Sequence, residues 1–180
     1  MLLIRSFIMI RLALSEEIDI LMSIYHYAQD QMIRNGNPDQ WGHTNPTKEM
    51  ILEDIEKSRS YVITDDTGVV HGIFVLLTGE EPTYRIIEDG EWLNNELYVT
   101  IHRIASDGQM HGIFEKALAF AEGSGCDVRI DTHKDNLIMQ KLIERNGFKR
   151  CGIIYLMNGS PRIAYQKVIR QNKDNRNQHA

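Results

Sequence analysis

Between Gln109 and Gly112 the chain reads Gln-Met-His-Gly, set between an apolar stretch at 97–105 and a helical apolar period from Ile113 to Glu122. A strand that runs through a polar, glycine-bearing turn into a helix presents free backbone N–H groups at the helix N-terminus. Those groups form an anion site suited to phosphate. Gly112 lets the backbone approach such a ligand closely. An ordinary strand-to-helix turn carries the same residues, and neither a Walker sequence nor Gly-x-Gly-x-x-Gly is present. Further on, Arg129-Ile130-Asp131-Thr132-His133 ends a short strand with unusual polarity. Arg129 and Asp131 share a face, and pairing with each other or with Arg103 is the favoured reading. His133 lies just past the strand end, where it either meets a ligand or caps the following helix. The seven histidines are scattered, with no His-x-x-x-His and no Cys-x-x-Cys, so no metal site is expected. The absence of Gly-x-Ser-x-Gly argues against a Ser-His-Asp hydrolase.

These residues need a scaffold, and the periodicities supply one. Residues 10–14 read as a first strand. Ser15 followed by Glu16 and Glu17 marks a helix start, and Ile18, Leu21, Met22, Tyr25, Ala28 and Met32 keep its period to a stop near Asn35-Gly36. Thr47 caps a second helix with Met50, Ile51 and Ile55 on its apolar stripe. Strands at 61–63 and 69–77 flank the turn Asp65-Asp66-Thr67-Gly68. A loop with Pro82 leads to the strand at 97–105, the helix from Ile113, a strand at 128–132 and a helix from Asn136 to Arg145. Two last strands, at 148–157 and 162–168, are joined by Asn158-Gly159-Ser160-Pro161. The order β-α-α-β-β-β-α-β-α-β-β shows no repeat and no linker, which makes one α/β domain with a mixed sheet.

A chain of 180 residues suits one domain with a real core. Hydrophobic content of 42% and charged content of 25% are ordinary for a globular protein. The formal net charge of −5 argues against general binding to nucleic acid or anionic membranes. Cys126 and Cys151 make no disulfide framework and read as reduced thiols in a cytoplasmic protein. No run approaches a membrane span. The apolar start is interrupted by Arg5 and Arg11 and lacks a small-residue cleavage site. Residues 1–8 are therefore expected to be an N-terminal extension, with Met9 an alternative start, and 169–180 a polar, disordered tail.

The ordered set of Gln109-x-x-Gly112 after the central strand, then Asn136 eleven positions before Gly147 and twelve before Phe148, resembles the GNAT family of acyl-CoA-dependent N-acetyltransferases. The resemblance covers residues 9–168. It implies a single α/β domain with a mixed, mostly antiparallel sheet flanked by helices, in which the fourth strand splays from the fifth and the pantetheine arm lies in the gap. Backbone groups near Ile104 and Ser106 would pair with pantetheine amides. The N–H groups of Gln109, Met110, His111 and Gly112 would hold the pyrophosphate, and Asn136 would hydrogen-bond the cofactor. The implied reaction moves acetyl from acetyl-CoA, without a metal, to a primary amine of a small molecule or peptide. A homodimer stays open. Two positions depart from the family pattern: Phe114 stands where a second small residue is usual, and Ile143 where a tyrosine often serves as acid to the leaving thiolate. Tyr155 is a candidate for that role.

An amine that attacks a thioester must be neutral, so a base is needed. His102, on the central strand, is of the residue type suited to that task, although a hydrogen-bonded core histidine would read the same way. Glu96 at the strand's start is the second candidate base. Strand alternation places Tyr98, Thr100, His102 and Ile104 on one face and Val99, Ile101, Arg103 and Ala105 on the other. Glu88 could hold a cationic substrate, and the loop aromatics Trp41 and Trp92 could line its pocket or plug the rim of the core. The competing reading is a non-catalytic acyl-CoA-binding or regulatory domain of the same fold.

Overall fold

The computed structural model describes residues 9–169. The expected extension at 1–8 lies outside the described residues, as does the expected tail beyond residue 169. The element order is β1 (Met9–Leu12), α1 (Ile18–Arg34), α2 (Lys48–Glu56), β2 (Ser60–Thr64), β3 (Val70–Thr78), β4 (Tyr98–Ser106), α3 (Ile113–Glu122), β5 (Asp127–Thr132), α4 (Leu137–Arg145), β6 (Lys149–Tyr155) and β7 (Pro161–Lys167). This is the order that the periodicities predict. Among the described residues no helix is long and apolar enough to cross a membrane.

Local chemistry explains most boundaries. Thr47 accepts a hydrogen bond from the Met50 N–H and starts α2 as expected. Ser15 does not cap α1. The chain enters through a 3₁₀ turn at Ser15–Glu17, and the Glu17 carboxylate accepts from the Leu14 N–H while pairing with Arg11. The Glu17 carboxylate thus fastens the 3₁₀ turn that leads into α1, and its charge at the helix start favours the dipole.

The seven strands form one sheet in the order β1-β2-β3-β4-β5-β7-β6, antiparallel except for β4 and β5. That parallel pair follows from the α3 crossover between the two strands. It holds only over Tyr98–Thr100 against Asp127–Arg129. Beyond Thr100 the strands part, so both leave backbone groups unpaired at the gap. Helices α3 and α4 cover one face, where Phe114, Leu118, Ile143 and Phe148 pack on Ile101 and Ile130. The unexpected Phe114 fills this core beside Phe148, with ring centroids 6.4 Å apart. Helices α1 and α2 cover the other face through Leu21, Ile24, Tyr25 and Ile51.

Strict alternation fails in β4. Val75 pairs with His102 and Ile73 with Ala105, so Arg103 and Ile104 together oppose Phe74. Arg103 carries the bulge at φ +49°, a left-handed conformation unusual for a non-glycine residue. Ile104 therefore packs in the α3 core with Val99 and Ile101, and Ala105 joins the α1 core. Arg103 turns toward α2 and meets Asp54. The expected grouping of Ile104 with His102 is corrected by that one extra residue, because an insertion of one flips every later side chain.

Candidate active site

Where β4 and β5 part, the sheet and the α1–α2 loop enclose a cleft of about 500 Å³. Its walls include His102, Arg103 and Ile104 from β4, Asp131 and Thr132 from β5, and Trp41 from the loop. Trp41 is fixed by an edge-on contact with Tyr25, ring centroids 5.7 Å apart.

His102 stands between two carboxylates. Its Nε2 lies 3.4 Å from Glu81 and its Nδ1 3.8 Å from Asp131. The first contact is long and poorly aligned, and Nε2 is buried with no hydrogen-bond partner among the described residues. Such an orphaned ring nitrogen costs stability and calls for an explanation. His102 beside it, with the N–H and hydroxyl of Thr83, holds the Glu81 carboxyl down at about 2. Asp131 accepts a hydrogen bond from the Tyr84 hydroxyl at 2.8 Å and lies 3.9 Å from Arg162 Nε. Burial, reinforced by Asp131, pushes the Tyr84 phenol well above its usual range, so it stays a donor. The group as a whole is a histidine set between two acids at the wall of the cleft.

At the other end of β4 lies the turn into α3, where the sequence places the residues expected to bind an anion. Gly112 caps α3 with φ +72°, which glycine adopts without strain. A Cβ there would meet Lys116 Nζ at 3.0 Å. Among the described residues no acceptor reaches the N–H groups of Met110, His111 or Gly112. Gln109 differs, because its N–H already donates to the Asp107 carboxylate at 2.8 Å. Asp107 also bonds His71 at 2.8 Å, and His71 reaches Asp65 at 3.5 Å. Ser106 uses its hydroxyl to accept from the Gly108 N–H. The open cradle is therefore three N–H groups wide rather than four.

Asn136 is occupied by the fold itself. Its Oδ1 accepts from the Met139 N–H and caps α4, while its Nδ2 donates to Gln40. Gln40 also accepts from Asn37, and its carbonyl accepts from Arg162. One loop residue thus ties the α1–α2 loop across the cleft to α4 and β7. His133 caps the turn before α4, its Nδ1 accepting from the Asp135 N–H.

The structure does not bring the remaining candidates into the cleft. Glu96 lies exposed at the paired end of β4, roughly 20 Å along the strand from His102 at the usual rise per residue. Glu88 bridges to β6 and accepts from the Tyr155 hydroxyl at 2.9 Å. That bond raises the Tyr155 phenol, and β6 is three strands from β4. Trp92 donates to the Tyr84 carbonyl and stacks against Arg129, which is held between Trp92 and Tyr98 at 3.9 Å from each ring. Arg129, Asp131 and Arg103 accordingly do not pair with one another. Ile143 is fully buried in the α3 core.

Glu81, Tyr84, Arg162 and Gln40 carry no sequence signal that marks them, since each lies in a loop or strand far along the chain from His102. The polarity of Asp131 was such a signal, although its partners are not those expected.

No protein-family sequence model matches the chain, and no curated protein does. The structure, in contrast, is similar to many solved ones. A GNAT-family acetyltransferase from Streptococcus agalactiae 2603 is 31% identical over 91% of this chain and 96% of that one, with a TM-score of 0.79. A GNAT-family acetyltransferase from Listeria monocytogenes 4b F2365 is 18% identical over 89% and 94%, with a TM-score of 0.62. A GNAT superfamily phosphinothricin acetyltransferase from Sinorhizobium meliloti, solved in complex with AcCoA, is 17% identical over 90% and 88%, with a TM-score of 0.59. The last two show a common fold. The first adds sequence similarity across nearly the whole of both chains.

Proposed function

Because the chain belongs to the GNAT family of acetyltransferases, we propose that it moves an acetyl group from acetyl-CoA to the primary amine of a small molecule, in the cytoplasm, by direct attack in a ternary complex. The observation that carries this reading is the order along one strand and its turn: His102 stands just past the point where β4 leaves β5, and the turn after β4 carries the open N–H groups of Met110, His111 and Gly112.

In this reading Met110, His111 and Gly112 hold the pyrophosphate of the donor, and the free edge of β4 near Ile104 and Ser106 faces its pantetheine arm. When bound, acetyl-CoA supplies an activated carbonyl carbon. An acceptor arrives as an ammonium, and His102, which stands between Glu81 and Asp131, takes one proton. The new C–N bond forms as the C–S bond breaks. Of the two protons lost by the ammonium, one ends on the CoA thiol and one in solvent. A thiol titrates near 8.5, so the thiolate leaves at neutral pH without a dedicated acid. This accommodates a buried Ile143 and a remote Tyr155. Positioning supplies most of the acceleration.

The buried Ile143 also keeps a second reading in play, a domain that binds acyl-CoA without turning it over. Incubation with acetyl-CoA and a panel of amines, following free thiol, separates the two. Thiol release that depends on amine is expected. Thermal stabilisation by CoA without turnover on any amine favours the binding domain, and no stabilisation by CoA at all overturns both.

A further inference from the structure

The bulge in β4 gives two consecutive residues a common outlook. His102 and Arg103, with Cα atoms a peptide apart, both turn away from the α3 core, His102 to Glu81 and Asp131 and Arg103 to Asp54 in α2, which a regular strand would forbid. Arg103 donates through NH1 to the fully buried Asp54, 2.8 Å away, and Arg59 binds the other oxygen of that carboxylate at 2.7 Å. One buried acid thus holds two guanidinium groups at the cleft wall. Asp54 neutralises one of them, and Glu53, which lies 4.0 Å from Arg59, is itself paired with Lys57, so Arg59, Arg103 and Lys57 against the two acids keep a net positive charge.

Among the described residues the charged groups lining the cleft are Arg59, Arg103 and Arg162 against Glu81 and Asp131. Arg162 stands beside Asp131, 3.9 Å away, and the acids flank His102, while the Arg59–Arg103 pair stands apart on the α2 side. A polyamine would find half of this cleft repulsive. A lone neutral amine would leave the arginine donors without a partner. The rest of the lining is apolar and adaptable, with Met32, Trp41, Met50, Leu77 and Leu156.

We propose that the acceptor is an α-amino acid with an apolar side chain, its carboxylate bound by Arg59 and Arg103, its amino group presented to His102 and Glu81, and its side chain among the methionines and Trp41. An amino group and a carboxylate one carbon apart match two adjacent residues of opposite task. Arg103 is the specificity residue, because its planar fork suits a carboxylate, and Asp54 positions it. This inference rests on the acetyl-transfer reading of the same cleft.

The test uses the full chain with acetyl-CoA and free-thiol detection. Leucine, methionine and phenylalanine are compared with their carboxamides and with the amines that carry the same side chain but no carboxyl group. The free acids are expected to exceed the carboxamides at least 30-fold in kcat/KM, chiefly through KM. In Arg103→Gln, which can still hydrogen-bond Asp54, KM for the free acid rises at least tenfold while KM for the carboxamide changes less than twofold. A folding defect would lower the active fraction for both substrates alike and cannot imitate that split. Carboxamides or simple amines used as well as the free acids overturn the amino-acid assignment and leave acetyl transfer standing. No thiol release with any amine, while CoA still binds, overturns both.

Discussion

His71 and His102 each stand between two carboxylates on adjacent strands, and they differ in how well those carboxylates hold them. His71 in β3 has both ring nitrogens engaged, by Asp107 at 2.8 Å and Asp65 at 3.5 Å. Its acids are themselves committed. Asp65 accepts from the Thr67 and Val69 N–H groups and shapes the β2–β3 turn, and Asp107 fastens Gln109 at the edge of the cradle. His102 in β4 has acids at charge distance, yet its Nε2 is unbonded at the wall of the cleft. A histidine whose partners are all hydrogen-bonded serves the fold. One whose acids stand outside good hydrogen-bond geometry at the wall of a cleft is the candidate for proton exchange with a substrate.

The largest expected effect is at His102. His102→Ala should lower kcat by about 10²–10³-fold, with a change in stability under about 1 kcal/mol, and should remove the ionisation of the base from the pH–rate profile. A flat loss of rate with the same profile would make His102 as structural as His71. Next comes the cradle that His71 supports from beneath. Gly112→Asp should weaken CoA at least 30-fold by calorimetry, because a carboxylate would stand at the N-terminus of α3 where the pyrophosphate is expected. Unchanged affinity would remove the anion site from that turn.

The smallest effect is at His71. His71→Ala should cost about 1–2 kcal/mol in urea unfolding and leave kcat within twofold. A large loss of rate would erase the contrast between the two histidines. The pH dependence sharpens it. Asp107, then Asp65, raise the His71 pKa above the ordinary histidine value. Its contribution is therefore fully present below about pH 6.5 and is lost as pH rises through the raised folded value. Glu81 slopes the other way: depressed to about 2, it contributes above its ordinary value near 4.5 and loses that contribution as pH falls toward 2. Denaturant midpoints from pH 2 to 9 should show both limbs in the parent, the upper one missing in His71→Ala.

The elements were legible because each rests on a local signal. The helix from Ile113 to Glu122 begins and ends where its apolar period and Gly112 say it must. The Thr47 cap and the turn at Asp65 follow from side chains that reach their own backbone. The turn proposed as the anion cradle is local as well, a single run of consecutive residues. Gln109 is the exception, because its N–H is taken by Asp107, whose rotamer is held by His71 some 36 positions earlier.

The site around His102 was less legible. Glu81 and Tyr84, Asp131, and Arg162 meet there from three separate segments, and their meeting depends on strand register. Arg129 illustrates the difficulty. Its alternation with Asp131 was clear, yet it goes to two aromatic rings rather than an acid. Glu88 and Tyr155 pair with each other at the sheet's edge, since the bridge between Glu88 and Ile153 fixes them there.

Sequence alone determined the order of strands and helices, the glycine-capped turn after the central strand and the resemblance to a family of acyl-CoA enzymes, because propensity, capping and periodicity act within a few residues. Tertiary structure decided the gap, the bulge and the company of His102. Whether β4 and β5 stay paired depends on the crossover and on side chains across the sheet. Whether Arg103 faces its neighbour's side or the opposite one depends on a single residue of register against β3. Such choices are settled by the packing of both faces at once, and no short stretch of sequence contains them.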